Sequence, residues 1–141
     1  LRLTGVLSRY LLMEKLHHSE NLLRQAQRVG HIGNWHWNVK NGELSWSDEL
    51  YLIYGYKPRS FVPTFENFYQ AVAEEDLDRI NRFKDQIFKS EAPHSIEHRI
   101  SLPNNETRWV YQQAIGRFSS KGNLLEVNVI VEDIPDLIKK Q

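Results

Sequence analysis

The chain has 141 residues, of which 40% are hydrophobic and 26% are charged, and this length fits one domain with an appended helix better than two domains. Its 18 basic and 18 acidic residues cancel, which argues against a general nucleic-acid binder, because such proteins neutralise phosphates with excess Lys and Arg. The absence of cysteine excludes disulfides, thiolate zinc sites and cysteine nucleophiles.

No apolar run approaches the roughly 20 residues that a membrane-spanning helix needs. No signal peptide is visible, so we expect a cytoplasmic domain, which is compatible with a membrane-anchored full-length protein. Because the chain starts at Leu1 and not at Met, we expect it to be a fragment of something longer.

The first 29 residues contain no proline and predict one long helix. Apolar or small residues recur there with alternating spacings of four and three, as in a coiled-coil seam; they are Leu12, Leu16, Ser19, Leu23 and Ala26. Such a helix would be roughly 44 Å long at 1.5 Å per residue, too long to pack fully on a small domain. It either lies on its own domain or, as we favour, pairs with its copy in a dimer.

A β-hairpin is predicted next. Residues 34–40 alternate, with Trp35 and Trp37 on one face, and Asn41-Gly42 follows them. Asn-Gly is the strongest signal for a two-residue type I′ turn, since both positions need positive φ. Residues 43–46 are then the returning strand.

Three helices are predicted after the hairpin. Ser47 is a good N-cap for the first, and Gly55 fits the position just after its end. The second helix covers residues 64–72. The third runs from about residue 75 to 89. Its i,i+4 charge pairs indicate a solvated face; they are Glu75–Arg79, Asp78–Arg82 and Asp85–Lys89.

Three strands complete the predicted fold, over residues 94–101, 107–119 and 124–134. Two strands before the helices and three after them indicate an α+β fold with one five-stranded antiparallel sheet and helices on one face. Trp109 is opposite in phase to the apolar Val110, so we place it on the outer face, where the N-terminal helix or a second subunit would cover it.

Several motifs together resemble the PAS sensor domains, in particular a subclass with a W-x-W first strand. The matching stretches are residues 26–38 (Gly33-Asn34-Trp35-His36-Trp37-Asn38 at their core), Glu43-Leu44-Ser45-Trp46-Ser47-Asp48-Glu49-Leu50-Tyr51, Ile53-Tyr54-Gly55-Tyr56-Lys57-Pro58, Ile96-Glu97-His98-Arg99-Ile100, Thr107-Arg108-Trp109-Val110 and Glu132-Asp133-Ile134. The resemblance implies a PAS domain over residues 30–136, a signalling and dimerisation helix over residues 1–29, and the start of an exit linker over residues 137–141.

The sequence departs from the subclass at two places. The usual His-Pro-x-Asp is here Ala73-Glu74-Glu75-Asp76, which keeps only the Asp. The terminal Asp-Ile-Thr is Asp133-Ile134-Pro135, so the threonine hydroxyl is missing, and proline lacks an amide donor. The resemblance is therefore weakest at the junction that passes signals onward.

The resemblance also implies a cup between sheet and helices that can hold a ligand. The candidate lining residues are Tyr51, Tyr54, Phe68, Phe83, Ile87, Ile96, His98, Ile100, Val110, Gln112, Val129 and Val131. Most of these residues would be ordinary core in any fold, and that is the interpretation we favour for them. His98 and Gln112 stand out because a buried polar side chain needs a partner, which is either internal or a ligand.

The absence of certain cofactor-binding residues from the sequence argues against two kinds of cofactor. A flavin-cysteine adduct needs a cysteine, and the third predicted helix has no His of the kind that commonly ligates haem in this family, which argues against haem. Non-covalent flavin or a small metabolite stays compatible with the sequence. His94 and His98 lie roughly 13 Å apart along a strand, too far to share one metal.

The resemblance thus implies a non-enzymatic sensory or regulatory module of a signal-transduction protein. It would bind a small ligand or a partner, act as a homodimer, and relay the change to a covalently linked effector such as a histidine kinase or a cyclic-di-GMP enzyme. Trp109 and Asp133 are candidate signalling positions. Two alternatives stay open: a purely structural dimerisation module without a ligand, and a small cup-shaped enzyme that uses His98 and Asp133 as an acid–base pair.

Overall fold

The computed structural model describes residues 31–134, so the predicted N-terminal helix with its heptad seam, and the predicted exit from Pro135 onward, lie outside the described residues. Two strands come first, a helical block follows, and three strands come last. In chain order the elements are β1 (Ile32–Asn38), β2 (Leu44–Trp46), α1 (Asp48–Ile53), α2 (Phe65–Ala71), a single 3₁₀ turn (Glu74–Asp76), α3 (Leu77–Lys89), β3 (His94–Ser101), β4 (Thr107–Phe118) and β5 (Leu124–Ile134).

The five strands form one sheet in the order β2-β1-β5-β4-β3, and every neighbouring pair is antiparallel. This confirms the predicted fold class. The first and last strands meet in the middle of the sheet, where Trp35 pairs with Val129. Helix α1 contacts β1, and α3 contacts β3 and β4. The face beneath them carries the core, in which Ile100, Val110 and Val131 are fully buried.

The hairpin between β1 and β2 forms as predicted, but its turn does not. Asn38 and Glu43 are joined by a backbone hydrogen bond of 2.8 Å, so four residues lie in the loop between them. Of these four loop residues only Gly42 has positive φ, at 76°, which excludes a type I′ turn at Asn41-Gly42. The reason is local: the Asn38 side chain accepts hydrogen bonds from the amides of Lys40 and Asn41, which stabilises a longer loop.

Helix α1 is capped at both ends as the sequence predicts. The Ser47 hydroxyl accepts from the Leu50 amide at 3.3 Å, and Gly55 follows the helix with φ of 87°. The same hydroxyl accepts from the Asn34 amide at 2.9 Å, which ties the helix to β1. The helix also lies very close to that strand, since a Cβ atom at Gly33 would come within 2.8 Å of the Leu50 backbone. Glycine is therefore required at this crossing.

Helix α2 matches its prediction, but α3 begins at Leu77, two residues later than predicted. Asp76 is the reason. Its carboxylate is turned towards β3, where it accepts from the Arg99 amide at 2.7 Å, and it makes no hydrogen bond that caps α3. The predicted ion pair between Glu75 and Arg79 is replaced by one between Asp76 and Arg79, at 3.2 Å.

The last three strands agree closely with their predicted ranges and faces. Trp109 lies on the outer face opposite Arg99, as its phase predicts, and the Arg99 guanidinium covers part of the indole at 4.9 Å from the ring centroid. Cationic groups favour this position over an indole ring. Within residues 31–134, no helix has the length and apolar character needed to cross a bilayer.

Candidate functional site

A cavity of about 270 Å³ lies between the sheet and the helices α2 and α3, and one side of it opens to solvent. Its walls are almost entirely apolar, and aromatic rings supply most of them. The lining residues are Trp35, Trp37, Phe65, Phe68, Tyr69, Ile80, Phe83, Lys84, Ile87, Phe88, Gln112 and Val127.

The aromatic walls are held in place by edge-to-face contacts. The ring of Phe65 meets that of Trp37 at 4.9 Å and that of Trp35 at 6.3 Å, both nearly perpendicular. These are favourable arrangements for aromatic pairs. Helix α2 presents Phe65 at this point because a capping box formed by Thr64 and Asn67 starts the helix one residue earlier.

Gln112 is the polar group in the cavity floor. Its side-chain oxygen accepts a hydrogen bond from the Trp35 indole N–H, at a long 3.4 Å, and its amide nitrogen donates to Nε2 of His98. Nδ1 of His98 then donates to the Arg99 carbonyl at 3.2 Å. The two buried polar side chains thus satisfy each other, and a continuous chain of hydrogen bonds runs from the cavity into β3.

This series of hydrogen bonds requires a neutral imidazole at His98, with its proton on Nδ1. It is fully buried, and burial lowers its pKa to about 4 because the imidazolium loses its contact with water. The positive charge of Arg79 acts in the same direction, while the Arg99 carbonyl and the Asp76 carboxylate oppose it. At pH 7 His98 is therefore neutral, so that Nε2 accepts a hydrogen bond and Nδ1 donates one.

The series of hydrogen bonds continues from Arg99 to Asp76, which is 1% exposed and precedes α3. The Arg99 guanidinium donates to both carboxylate oxygens, at 3.0 and 2.8 Å, and Arg79 donates to one of them at 3.2 Å. The guanidinium of Arg99 holds the pKa of Asp76 well below its ordinary value, although burial acts in the opposite direction. Arg99 on β3 is therefore paired with a carboxylate on the turn that precedes α3.

Comparison with known proteins decides the family. The sequence profile described as "PAS fold" matches residues 43–131, well over half of the chain. The chain belongs to the PAS family. The matched region begins after β1, yet the structure places β1 inside the sheet of this PAS domain, between β2 and β5.

Relatives of the PAS domain are named as signalling proteins. The chain is 23% identical over 114 residues to the probable diguanylate cyclase DgcE of Escherichia coli (strain K12), covering 79% of this chain and 10% of that protein. A solved sensory box histidine kinase/response regulator from Burkholderia thailandensis E264 superposes with a TM-score of 0.71 at 18% identity, over 84% of this chain and 88% of that one.

A second similar structure is the N-terminal domain of a diguanylate cyclase with PAS/PAC sensor from Marinobacter aquaeolei. It has a TM-score of 0.65 at 12% identity and covers 78% of this chain and 99% of that one. At these identities the superpositions show a shared fold. The chain spans about a tenth of the length of DgcE.

The PAS cavity is lined by some of the residues selected from the sequence and not by others. Of the twelve candidates, four line it: Phe68, Phe83, Ile87 and Gln112. The other eight lie outside its lining: Tyr51, Tyr54, Ile96, His98, Ile100, Val110, Val129 and Val131. Tyr51 and Tyr54 pack against Trp46 instead, with ring centroids 5.3 and 5.1 Å away, and Tyr51 donates its hydroxyl to the Phe61 carbonyl.

Sequence reasoning missed several lining residues, above all Trp35, Trp37, Phe65 and Lys84. A signal for the two tryptophans was present, since their alternation places both on one face of β1. That face is the inner one, because Trp35 pairs with the buried Val129 and Trp37 with the buried Val127. No local signal marks Lys84, whose place in the lining depends on how α3 crosses the sheet.

The residues of the enzymatic alternative are not brought together. Both ring nitrogens of His98 are engaged by Gln112 and the Arg99 carbonyl, whereas Asp133 faces Arg108 at 3.7 Å. Arg108, near the start of β4, shares the phase of the buried Val110 and donates to the carbonyl of Ile53 at the end of α1. Within residues 31–134, no three His, Asp or Glu side chains are grouped closely enough to hold a metal ion.

Proposed function

We propose that this PAS domain is a non-catalytic sensory module, which binds a small ligand in the cavity beneath α2 and α3 and relays the change through flanking helices in a homodimer. The cavity itself carries the proposal. It is concave and mostly apolar, with Gln112 as a polar group in its floor, and an apolar cavity with a few polar groups is typical of a small-molecule site.

The hydrogen-bond chain supports a route out of the cavity. Gln112 is held by the long Trp35 contact on one side and by His98 on the other, so a ligand group that competes for the amide would disturb both. Beyond His98, the chain reaches Arg99 and Asp76. Arg99 also covers Trp109 on the outer face, where we expect a flanking helix or a second subunit. A ligand shifts such a system only if it binds two states with different affinity.

The signalling role and the effector follow from the relatives by analogy. DgcE is named a probable diguanylate cyclase, and similar structures come from a histidine kinase and a second diguanylate cyclase. We therefore propose that the full-length protein carries an effector of one of these kinds. Asp133, held to Arg108 at the end of β5, is the proposed point where the domain connects to it.

Ligand binding in the cavity is tested with the whole 141-residue chain. The purified protein is examined by native mass spectrometry and absorbance, and then titrated with a library of small metabolites while its indole N–H signals are recorded by NMR. We expect a ligand that moves the Trp35 and Trp37 signals. The variant Ile87→Phe should weaken binding by filling the cavity, whereas Ile115→Phe, the same change on the outer face, should not.

The alternative is a structural dimerisation module without a ligand, and one observation favours it. Ile115 and Ile130 lie half-exposed on the outer face of the sheet, at 49% and 48% exposure, where a second subunit would cover them. A clean apo mass, an unresponsive cavity and a dimer that persists at micromolar concentration would support this role. A strict monomer whose behaviour does not change when residues 1–25 are deleted would contradict the dimer in both versions.

A further inference from the structure

The described lining of the cavity carries charge of one sign. Among the described residues that line the cavity, Lys84 is the one charged group, and none of them is Asp or Glu. Within residues 31–134, no carboxylate lies within ion-pairing distance of Lys84, and its ammonium is instead 5.9 Å from the centroid of the Tyr69 ring. The ammonium therefore stands at the mouth of an apolar cavity without a carboxylate partner from the described chain.

The position of Lys84 on α3 explains how it comes to lie there. Ile80 precedes it by one turn and Phe88 follows it by one turn, and both of these residues line the cavity. The Lys84 stem thus shares the cavity face of the helix, while the ammonium reaches the solvent-exposed side. Tyr69, on α2, also lines the cavity, and its ring is the one beside the Lys84 ammonium.

The interior of the cavity is less able than its mouth to stabilise a charged ligand group. Gln112 is 1% exposed, and its oxygen and nitrogen are already engaged by Trp35 and His98. Burying an ionised group among the surrounding rings without a countercharge would be costly. A charged ligand group is therefore expected at the mouth and an uncharged body inside.

The volume limits that body. A dry cavity of about 150 Å³ holds one benzene ring. The present cavity of about 270 Å³ is less than twice that size, so it suits one or two rings with a short substituent better than the three fused rings of a flavin.

From these observations, and resting on the ligand-binding function proposed above, we propose that the cavity binds a compact aromatic monocarboxylate. Its ring system lies between Trp37, Phe65 and Phe68, and its carboxylate lies against the Lys84 ammonium at the mouth. Ring contacts supply most of the affinity, because they remove apolar surface from water. The ion pair selects the acid over neutral molecules of the same shape.

The test compares two acids with their uncharged amides: phenylacetate with phenylacetamide, and indole-3-acetate with indole-3-acetamide. Binding to the whole chain is followed through the backbone and indole N–H signals of isotope-labelled protein by NMR. Of the four tryptophans, Trp35 and Trp37 line the cavity, so their signals should shift, whereas those of Trp46 and Trp109 should not. Each acid should bind more tightly than its amide, and added salt should reduce this preference.

The variant Lys84→Gln should weaken binding of the acids about two- to fivefold, the range expected for a solvent-exposed ion pair, and leave the amides unchanged. Lys89→Gln, at the end of the same helix and outside the cavity lining, is the matched control and should have no effect.

The outcomes separate this inference from the broader function. Equal binding of acids and amides, or acid binding that Lys84→Gln does not weaken, overturns the carboxylate assignment and leaves a ligand-binding cavity in place. If none of the four compounds moves the Trp35 and Trp37 signals, the carboxylate assignment fails. If the metabolite library also leaves these signals unmoved, the ligand-binding function fails with it.

Discussion

Asp76 and Arg99 form the most fully connected ion pair in the described structure. The guanidinium of Arg99 bonds both carboxylate oxygens, at 3.0 and 2.8 Å, and the backbone amide of the same residue adds a third hydrogen bond of 2.7 Å. Two segments that are far apart in the sequence, the turn before α3 and the strand β3, are joined at this point. The carboxylate is buried, while the guanidinium is partly exposed.

Replacing Asp76 by Ala should lower the free energy of unfolding by about 2–3 kcal/mol, since several charge-assisted hydrogen bonds are lost while the guanidinium can still reach water. Urea denaturation at pH 7, followed by circular dichroism, measures this loss. Asp78→Ala, on the exposed side of α3, is the control and should change the stability little. A loss at Asp76 no larger than that at Asp78 would show that the pair contributes nothing to stability.

The buried His98 makes stability depend on pH. Its pKa is about 4 in the folded protein and about 6.5 in an unfolded chain, so between these values only the unfolded state takes up the proton. The free energy of unfolding should therefore fall by about 3 kcal/mol as the pH is lowered from 6.5 to 4. Asp76 contributes little to this change, because most of its own contribution is lost below its unfolded pKa of about 3.9.

The measurement is a series of urea titrations between pH 7 and 4. His98→Gln should flatten the slope between pH 6.5 and 4, whatever its effect on the stability at pH 7. A slope that survives His98→Gln would mean that another group is responsible.

The contact between His98 and Gln112 should show as an energetic coupling. His98→Leu and Gln112→Leu each leave a buried polar partner unsatisfied, and each should cost about 1–3 kcal/mol. The double variant removes both groups and should cost less than the sum of the two single losses, by at least about 0.5 kcal/mol. Gln112→Leu should also move the Trp35 indole N–H signal, because that donor loses its acceptor. Strictly additive losses would contradict the buried contact.

Glycine at position 33 is required by packing. A methyl group there would lie 2.8 Å from the backbone of Leu50, so Gly33→Ala should push α1 away from β1 and destabilise the protein by about 1–3 kcal/mol. Gly42→Asn is the matched control. Nothing lies within 4 Å of a Cβ at Gly42, and asparagine tolerates its positive φ comparatively well. Thermal unfolding of the two variants distinguishes them, and equal midpoints would contradict the close approach.

The order and type of the elements were predictable because the signals are local. Alternation of apolar residues marks β3 to β5, Ser47 and Gly55 mark the ends of α1, and two strands before the helices with three after them predict the sheet. The errors arise where a polar side chain competes with the predicted backbone conformation, and secondary-structure propensity does not describe that competition. The Asn38 side chain replaced a two-residue turn with a longer loop, and the Asp76 carboxylate was drawn to β3.

Composition, periodicity and the motifs thus sufficed for the elements, for the PAS family and for the inward phase of His98 and Gln112. They could not predict which side chains share the cavity, that Arg99 pairs with Asp76, or that Lys84 stands at the mouth. Those facts depend on how α2 and α3 cross the sheet, since only the crossing brings Trp37 of β1 within 5.9 Å of Phe88 of α3. Periodicity describes one element at a time, whereas a site is a relation between elements that are distant in sequence, and its geometry is set by their packing.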